Sequence, residues 1–229
     1  KALEFNQREK ALKLIEGISL SADSPQTLWQ LKGNVLVQTN QVLAAEEHFR
    51  QWSELFPNQE NAAIGVIAVN NIRGNYSAAL AAANRFLQLE DNQEIRILQA
   101  FFNAKLGNLE EAKAAWQKID ERLYNEPEVR GISAHISLLE RRPADALDDA
   151  LVAYKANRSF DTLALLTRIY AAQDQRNKAL MLLEEHNASP EKDIRSLMLM
   201  AEFQMVLAPN EAVKSYEEAI AADSYNYVA

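Results

Sequence analysis

No cysteine occurs in the 229 residues, so disulfides, thiolate nucleophiles and cysteine-based metal sites are excluded outright. Cysteine avoidance also suits an oxidising compartment, where a stray thiol is a hazard. We therefore expect a periplasmic or envelope-associated bacterial setting, with the cytoplasm as the alternative. Positive charge is in short supply: 24 Lys and Arg stand against 32 Asp and Glu, a net charge of −8. Nucleic acid is held by cations that neutralise phosphates, and no basic stripe is present, so no nucleic-acid partner is expected. The same deficit argues against a helix lying on an anionic membrane. No stretch approaches the roughly 18 apolar residues that span a bilayer, so no direct membrane insertion is expected. The opening Lys1-Ala2-Leu3-Glu4 carries no signal-peptide pattern, which a trimmed chain would also show.

Helix breakers are scarce as well. Glycine and proline number six each, while 48% of residues are hydrophobic and Ala, Leu, Glu, Gln and Asn abound. β-branched residues form no alternating runs, so the chain reads as all-α. No hydrolase elbow, phosphate-cradling loop or zinc-protease motif is present, which points away from an enzyme and from any cofactor. The three histidines are His48, His135 and His186. Two sit in the runs Glu46-Glu47-His48 and Glu184-Glu185-His186, where adjacent ligand types diverge around a helix; we read them as packing or surface residues, not metal ligands. Asp148-Asp149 and Glu217-Glu218 read as solvated helix faces, and Trp29, Trp52 and Trp116 as core.

What is present in abundance is a period. Ala11, Ala45, Ala79, Ala112, Ala146, Ala179 and Ala212 each open an amphipathic segment, spaced 33 or 34 residues apart along the chain. A turn precedes each of the last six: Thr39-Asn40, Gly74-Asn75, Gly107-Asn108, Arg142-Pro143, Asp174-Gln175 and Ala208-Pro209. Gly and Asn there accept left-handed backbone angles, and Pro suits the first turn of a new helix. Four residues after the alanine stand Ile15, Phe49, Ala83, Trp116, Ala150, Leu183 and Tyr216, on the same helical face. Upstream lies a second helical pattern, such as Leu28, Trp29, Val35 and Leu36, or Leu163, Leu166 and Tyr170. Each unit is thus two helices joined by a tight turn, and such hairpins bury a continuous core only by stacking.

The unit resembles the tetratricopeptide repeat (TPR). Trp29, Gly33, Leu36, Ala45, Phe49 and Pro57 fall on the family pattern in one unit, and Met200, Phe203, Ala212, Tyr216 and Ala219 in another. Lys32, Gln99 and Asn103 depart from it, with Leu98 and Phe102 expected to do the packing in the third unit. The resemblance implies a TPR-like right-handed α-solenoid of stacked antiparallel helix hairpins. We expect residues 1–25 to be the second helix of a truncated repeat. Six repeats follow (26–59, 60–92, 93–126, 127–159, 160–192 and 193–226), then the start of a further helix. The whole is read as one continuous solenoid, a fragment of a longer protein.

The resemblance also implies a concave groove lined by the first helices. The matching positions are Gln30, Asn34 and Gln38, then Ile64, Asn71 and Ile72, then Ile97, Phe101 and Lys105. His135 and Leu138, Arg168, and Leu197, Gln204 and Met205 continue the series. Phe101 is expected mid-groove, clear of the hairpin core. Neutral amides and apolar groups suit an extended or helical protein segment. The expected function is a non-enzymatic scaffold or adaptor binding a protein or peptide, in a bacterial envelope assembly or in exopolysaccharide secretion of the PEP-CTERM lipoprotein type. The alternative is the regulatory or substrate-holding arm of an enzyme whose catalytic domain lies elsewhere. Self-association through uncapped ends is a third expectation.

Overall fold

The computed structural model describes residues 10–15, 17–188 and 193–224. Residues 10–15 are helical, within the stretch where the N-terminal second helix is expected; residues 1–9 and the further helix expected at Tyr225–Ala229 lie outside the described residues. No β-strand occurs among the described residues. The helices are α1 (Gln26–Gln38), α2 (Val42–Leu55), α3 (Glu60–Ile72), α4 (Tyr76–Leu87), α5 (Gln93–Leu106), α6 (Leu109–Trp116), α7 (Pro127–Leu139), α8 (Pro143–Ala156), α9 (Phe160–Ala172), α10 (Arg176–Asn187), α11 (Ile194–Leu207) and α12 (Pro209–Ser224). A short 3-10 turn, Glu121–Leu123, precedes α7. Contacts divide the chain into two compact units, residues 1–119 and 120–229.

Inside each unit, odd-numbered helices pair with the even-numbered helices that follow them. The joint is the same in five hairpins. Asn40, Gly74, Gly107, Arg141 and Asp174 take left-handed backbone angles, with φ between 59° and 78°. The next residue's N–H reaches back to the last turn of the first helix: Gln41 to Leu36 O, Asn75 to Asn70 O, Asn108 to Asn103 O, Arg142 to Ser137 O and Gln175 to Tyr170 O, at 2.8–2.9 Å. This Schellman arrangement satisfies carbonyls that a helix end leaves orphaned. Five residues past each left-handed position stands the periodic alanine, whose N–H donates to the capping residue's carbonyl, as Ala45 does to Gln41 and Ala79 to Asn75. Ala45, Ala79, Ala112, Ala146, Ala179 and Ala212 are all 0% exposed. A fully buried alanine at this point suits a close crossing of the two helices.

Two turns differ from expectation. In the fourth hairpin the left-handed residue is Arg141, one place before the expected Arg142-Pro143. In the last hairpin Ala208 has φ −149° and α12 starts at once on Pro209, so no left-handed residue is needed. Arg141 carries a Cβ into a region that disfavours it by about 1–2 kcal/mol. Arg141→Gly should stabilise the second unit by about 0.5–1 kcal/mol after glycine's own entropy cost, read as a higher urea midpoint at unchanged m-value.

The first unit's core is aromatic at one end. Trp29, Phe49 and Trp52 are buried together with Ile15, Leu36, Ala45, Ala62 and Val69. His48 lies among them, stacked on Trp29 with ring centroids 5.2 Å apart, and its Nε2–H donates to Trp29 O at 2.7 Å. It is a packing histidine, and its surroundings favour the neutral ring. Burial pushes its pKa below the ordinary histidine value of 6.5, the hydrogen bond to Trp29 opposes the shift, and Lys32 reinforces it. Burial lowers His186 as well, with help from the Arg158 guanidinium. The unfolded chain therefore binds protons that the folded chain resists. Stability is intact above the unfolded value and falls as pH drops below it towards the folded value. The urea midpoint should be lower at mildly acid pH than at neutral pH, and His48→Phe should flatten that slope.

A second aromatic group in this unit gathers Ala63, Ile67, Ala79, Ala83, Phe86, Ile95 and Phe102, with Leu98 and Phe101 packed against it. Departures from the repeat pattern find partners here. The Lys32 amine donates to Ile18 O at 2.8 Å, Gln99 donates to Asn84 Oδ1 at 2.6 Å, and Asn103 donates to Gln99 O at 3.0 Å. The second unit is held by Leu163, Leu166, Ile169, Leu183 and Leu197 around Ala146 and Ala150. Arg130 on α7 donates to Asp149 on α8 at 2.7 Å, giving that carboxylate an in-hairpin partner.

Candidate functional site

Among the first helices, α1 touches α3, α7 touches α9, and α9 touches α11. Residues three or four apart on such helices share one side, and their exposure decides whether that side is a surface. In the first unit, Gln30, Asn34 and Gln38 on α1 are exposed, Asn71 is half-buried and Ile72 is exposed. Ile64, Ile97 and Phe101 are half-buried, and Ile64 and Phe101 lie on the cluster around Phe102. Their rigid support comes from that core. Phe101 sits edge-on to Phe102, ring centroids 5.1 Å apart at 74°. It is therefore part of the packing as well as the surface, which differs from the expected position clear of the core. Lys105 lies 4.9 Å from the centre of the Tyr76 ring and 5.8 Å from that of Phe101. Its cation is engaged with aromatic faces.

The second unit is different. Arg168 is exposed and Leu138 is half-buried against the core. His135 and Gln204 are each only 5% exposed, and Leu197 is fully buried. Gln204 Oε1 accepts from Ser215 Oγ at 2.7 Å, a bond that ties α11 to α12. These three side chains hold hairpins together and leave little surface for a partner, whereas Met205 is 52% exposed. A depression of about 250 Å³ lies near them, lined by Ala171, Arg176, Glu202, Phe203 and Val206. Arg176, Glu202 and Val206 were not on the expected groove. Ala171 is three residues from Arg168 on α9, and Glu202 is three from Met205 on α11, spacings that could have pointed there.

Chemically, the first-unit surface offers neutral donors and acceptors around an apolar strip. No group of three or more His, Asp or Glu residues converges among the described residues. No described helix is long and apolar enough to cross a membrane.

No protein-family model matches the chain, and no curated protein sequence matches it. Solved structures do. The chain is similar to a tetratricopeptide repeat protein from Parabacteroides merdae, at 13% identity and a TM-score of 0.69, over 93% of this chain and 84% of that one. It is similar to the APC/C hetero-tetramer Cut9–Hcn1 at 17% identity and a TM-score of 0.70, covering 94% of this chain. It spans only 43% of that chain's length. It is also similar to the human IFIT1 dimer with PPP-AAAA, at 14% identity and a TM-score of 0.70, over 94% of this chain and 55% of that one. Likeness at this level of identity speaks for architecture: the chain has the fold of the tetratricopeptide repeat, an all-α stack of helix hairpins.

Proposed function

We propose that the chain is a non-enzymatic scaffold that holds an extended segment of another protein along the first-helix surface of its first unit. The observation that carries this reading is the exposure of the amides Gln30, Asn34 and Gln38 on α1, which touches the helix carrying half-buried Ile64, together with half-buried Ile97 and Phe101 on α5 as an apolar strip. Amides can pair with a peptide backbone while the strip accepts its side chains. A phosphate-bearing ligand fits poorly here. The net charge is −8, and Lys105 is turned onto two aromatic rings. We place the scaffold in a bacterial envelope assembly, because a cysteine-free chain suits an oxidising compartment.

The test uses side chains that contribute nothing to the core. Peptides selected on the wild-type chain from an extended-peptide library should bind at least tenfold more weakly to the Gln30→Glu, Asn34→Arg double variant, about 1.4 kcal/mol. Unchanged affinity, with an unchanged thermal melt, would mean that the surface lies elsewhere. Export of the full reading frame to the periplasm, followed by fractionation, tests the compartment.

A further inference from the structure

We propose that Tyr154, Arg158 and His186 form a proton-operated latch between α8 and α10, closed while the His186 ring is neutral and released when the ring takes a proton. The repeat shows that a histidine is exceptional at this place. Seven residues after the periodic alanine, the other five hairpins carry Trp52, Phe86, Ile119, Ala153 and Ala219. All five are buried and apolar. Counted from Ala179, the same place is His186, which is half-buried. A titratable ring therefore stands where the fold otherwise sets a core side chain.

The hydroxyl of Tyr154, a residue only 6% exposed, lies 3.1 Å from His186 Nδ1. Arg158, in the connector after α8, donates to that hydroxyl oxygen from Nε at 3.3 Å and from Nη2 at 3.2 Å. Nη2 also donates to Glu185 Oε1 at 3.0 Å. Arg158 and Glu185 are exposed, and such a pair contributes little by itself, so the bond from the buried hydroxyl carries the contact. A hydroxyl has one proton and two lone pairs. Arg158 occupies the lone pairs, so the proton goes to Nδ1, and His186 is the neutral ring that carries its hydrogen on Nε2. A proton added at Nδ1 turns this acceptor into a donor. The hydroxyl can then accept from the ring only by giving up a bond from Arg158, and two cations come side by side. The closed arrangement has no place for that proton. Burial opposes the charged ring most, the Arg158 guanidinium adds to it, and the Asp193 and Glu185 carboxylates work against both. Asp193 is itself paired with Arg195, and Glu185 with Arg158. Proton affinity is thus lowered while the latch is closed and ordinary once it opens. The latch holds above the ordinary histidine value and gives way as pH falls below it.

Histidine NMR on the full chain tests the latch, with His186→Gln identifying the resonance. Tyr154→Phe and Arg158→Gln should each move the pKa of His186 upward, towards the ordinary value, since each removes a group that favours the neutral ring. Amide exchange reads the release. Asn157 N–H donates to Ala153 O and Ala188 N–H to Glu184 O, closing the last turns of α8 and α10 that carry the cluster. Between about pH 8 and about pH 5, protection at these helix ends should fall by roughly tenfold for each unit of depression measured at His186, after correction for the intrinsic exchange rate. His186→Phe restores an apolar side chain, as at Phe86, and should remove this dependence at both ends. A His186 pKa that neither substitution raises overturns the proposal. So does protection at the two helix ends that stays constant while His186 titrates, or that falls with acid just as far in His186→Phe.

Discussion

Gly65→Ala is expected to destabilise the first unit by about 3 kcal/mol, the upper end of what overpacking costs in a filled core. A Cβ built on Gly65 would lie 2.0 Å from Cδ1 of Phe49, and one on Gly33 would lie 2.3 Å from Cζ of the same ring. The ring is thus held between the backbones of α1 and α3. It cannot retreat from an alanine at Gly65, because Gly33 closes the other side and Trp52 stacks at 6.1 Å. Alanine's better helix propensity returns only about 1 kcal/mol. Shrinking the ring should relieve the clash: in the Phe49→Leu background the penalty for Gly65→Ala should fall well below its value in the wild type. Urea denaturation of the four proteins measures that coupling. Additive losses would show that the ring is not the obstacle.

Ala79→Leu is expected to cost about 2 kcal/mol by the same physics at a different place. Ala79 is wholly buried, and its neighbours in the cluster include Ile67, Phe86, Ile95 and Phe102. Three extra carbons there have no space unless α3 and α4 separate. Ala81 provides the control, since it lies on the same helix but is exposed. Ala81→Leu should move stability by no more than about 0.5 kcal/mol. Equal losses in the two variants would deny the crossing its special status.

The hairpins were legible in the sequence because their cause is local. A close helix crossing demands a side chain no larger than alanine, and a tight turn demands residues tolerant of left-handed angles, so both leave marks at a regular spacing. Exposure along the first helices was less legible. Asn34, Phe101, His135 and Arg168 share one repeat position, yet Asn34 and Arg168 are exposed, Phe101 is half-buried and His135 is buried. Helical phase gives the angle of a residue on its own cylinder. How much of it remains uncovered depends on side chains from other elements, as with Phe101 edge-on to Phe102. Gln204 makes the point most clearly, because its partner Ser215 lies on the next helix. Arg141 escaped notice for another reason: arginine pays strain to occupy a place where glycine or asparagine would have signalled the turn. Lys32 and Gln99, which depart from the repeat pattern, each donate to an acceptor beyond their own helix.

The constant five-residue step from left-handed turn to crossing alanine has a consequence for how length can vary in such a chain. One residue added inside the turn would rotate everything after it by about 100° and carry the alanine off the contact line. Between hairpins no such gearing exists. The segments joining α2 to α3 and α8 to α9 are short, while α6 and α7 are separated by a longer stretch with its own 3-10 turn. Slack therefore collects at the joints between hairpins, and each hairpin behaves as an indivisible part whose two arms are keyed together at manufacture.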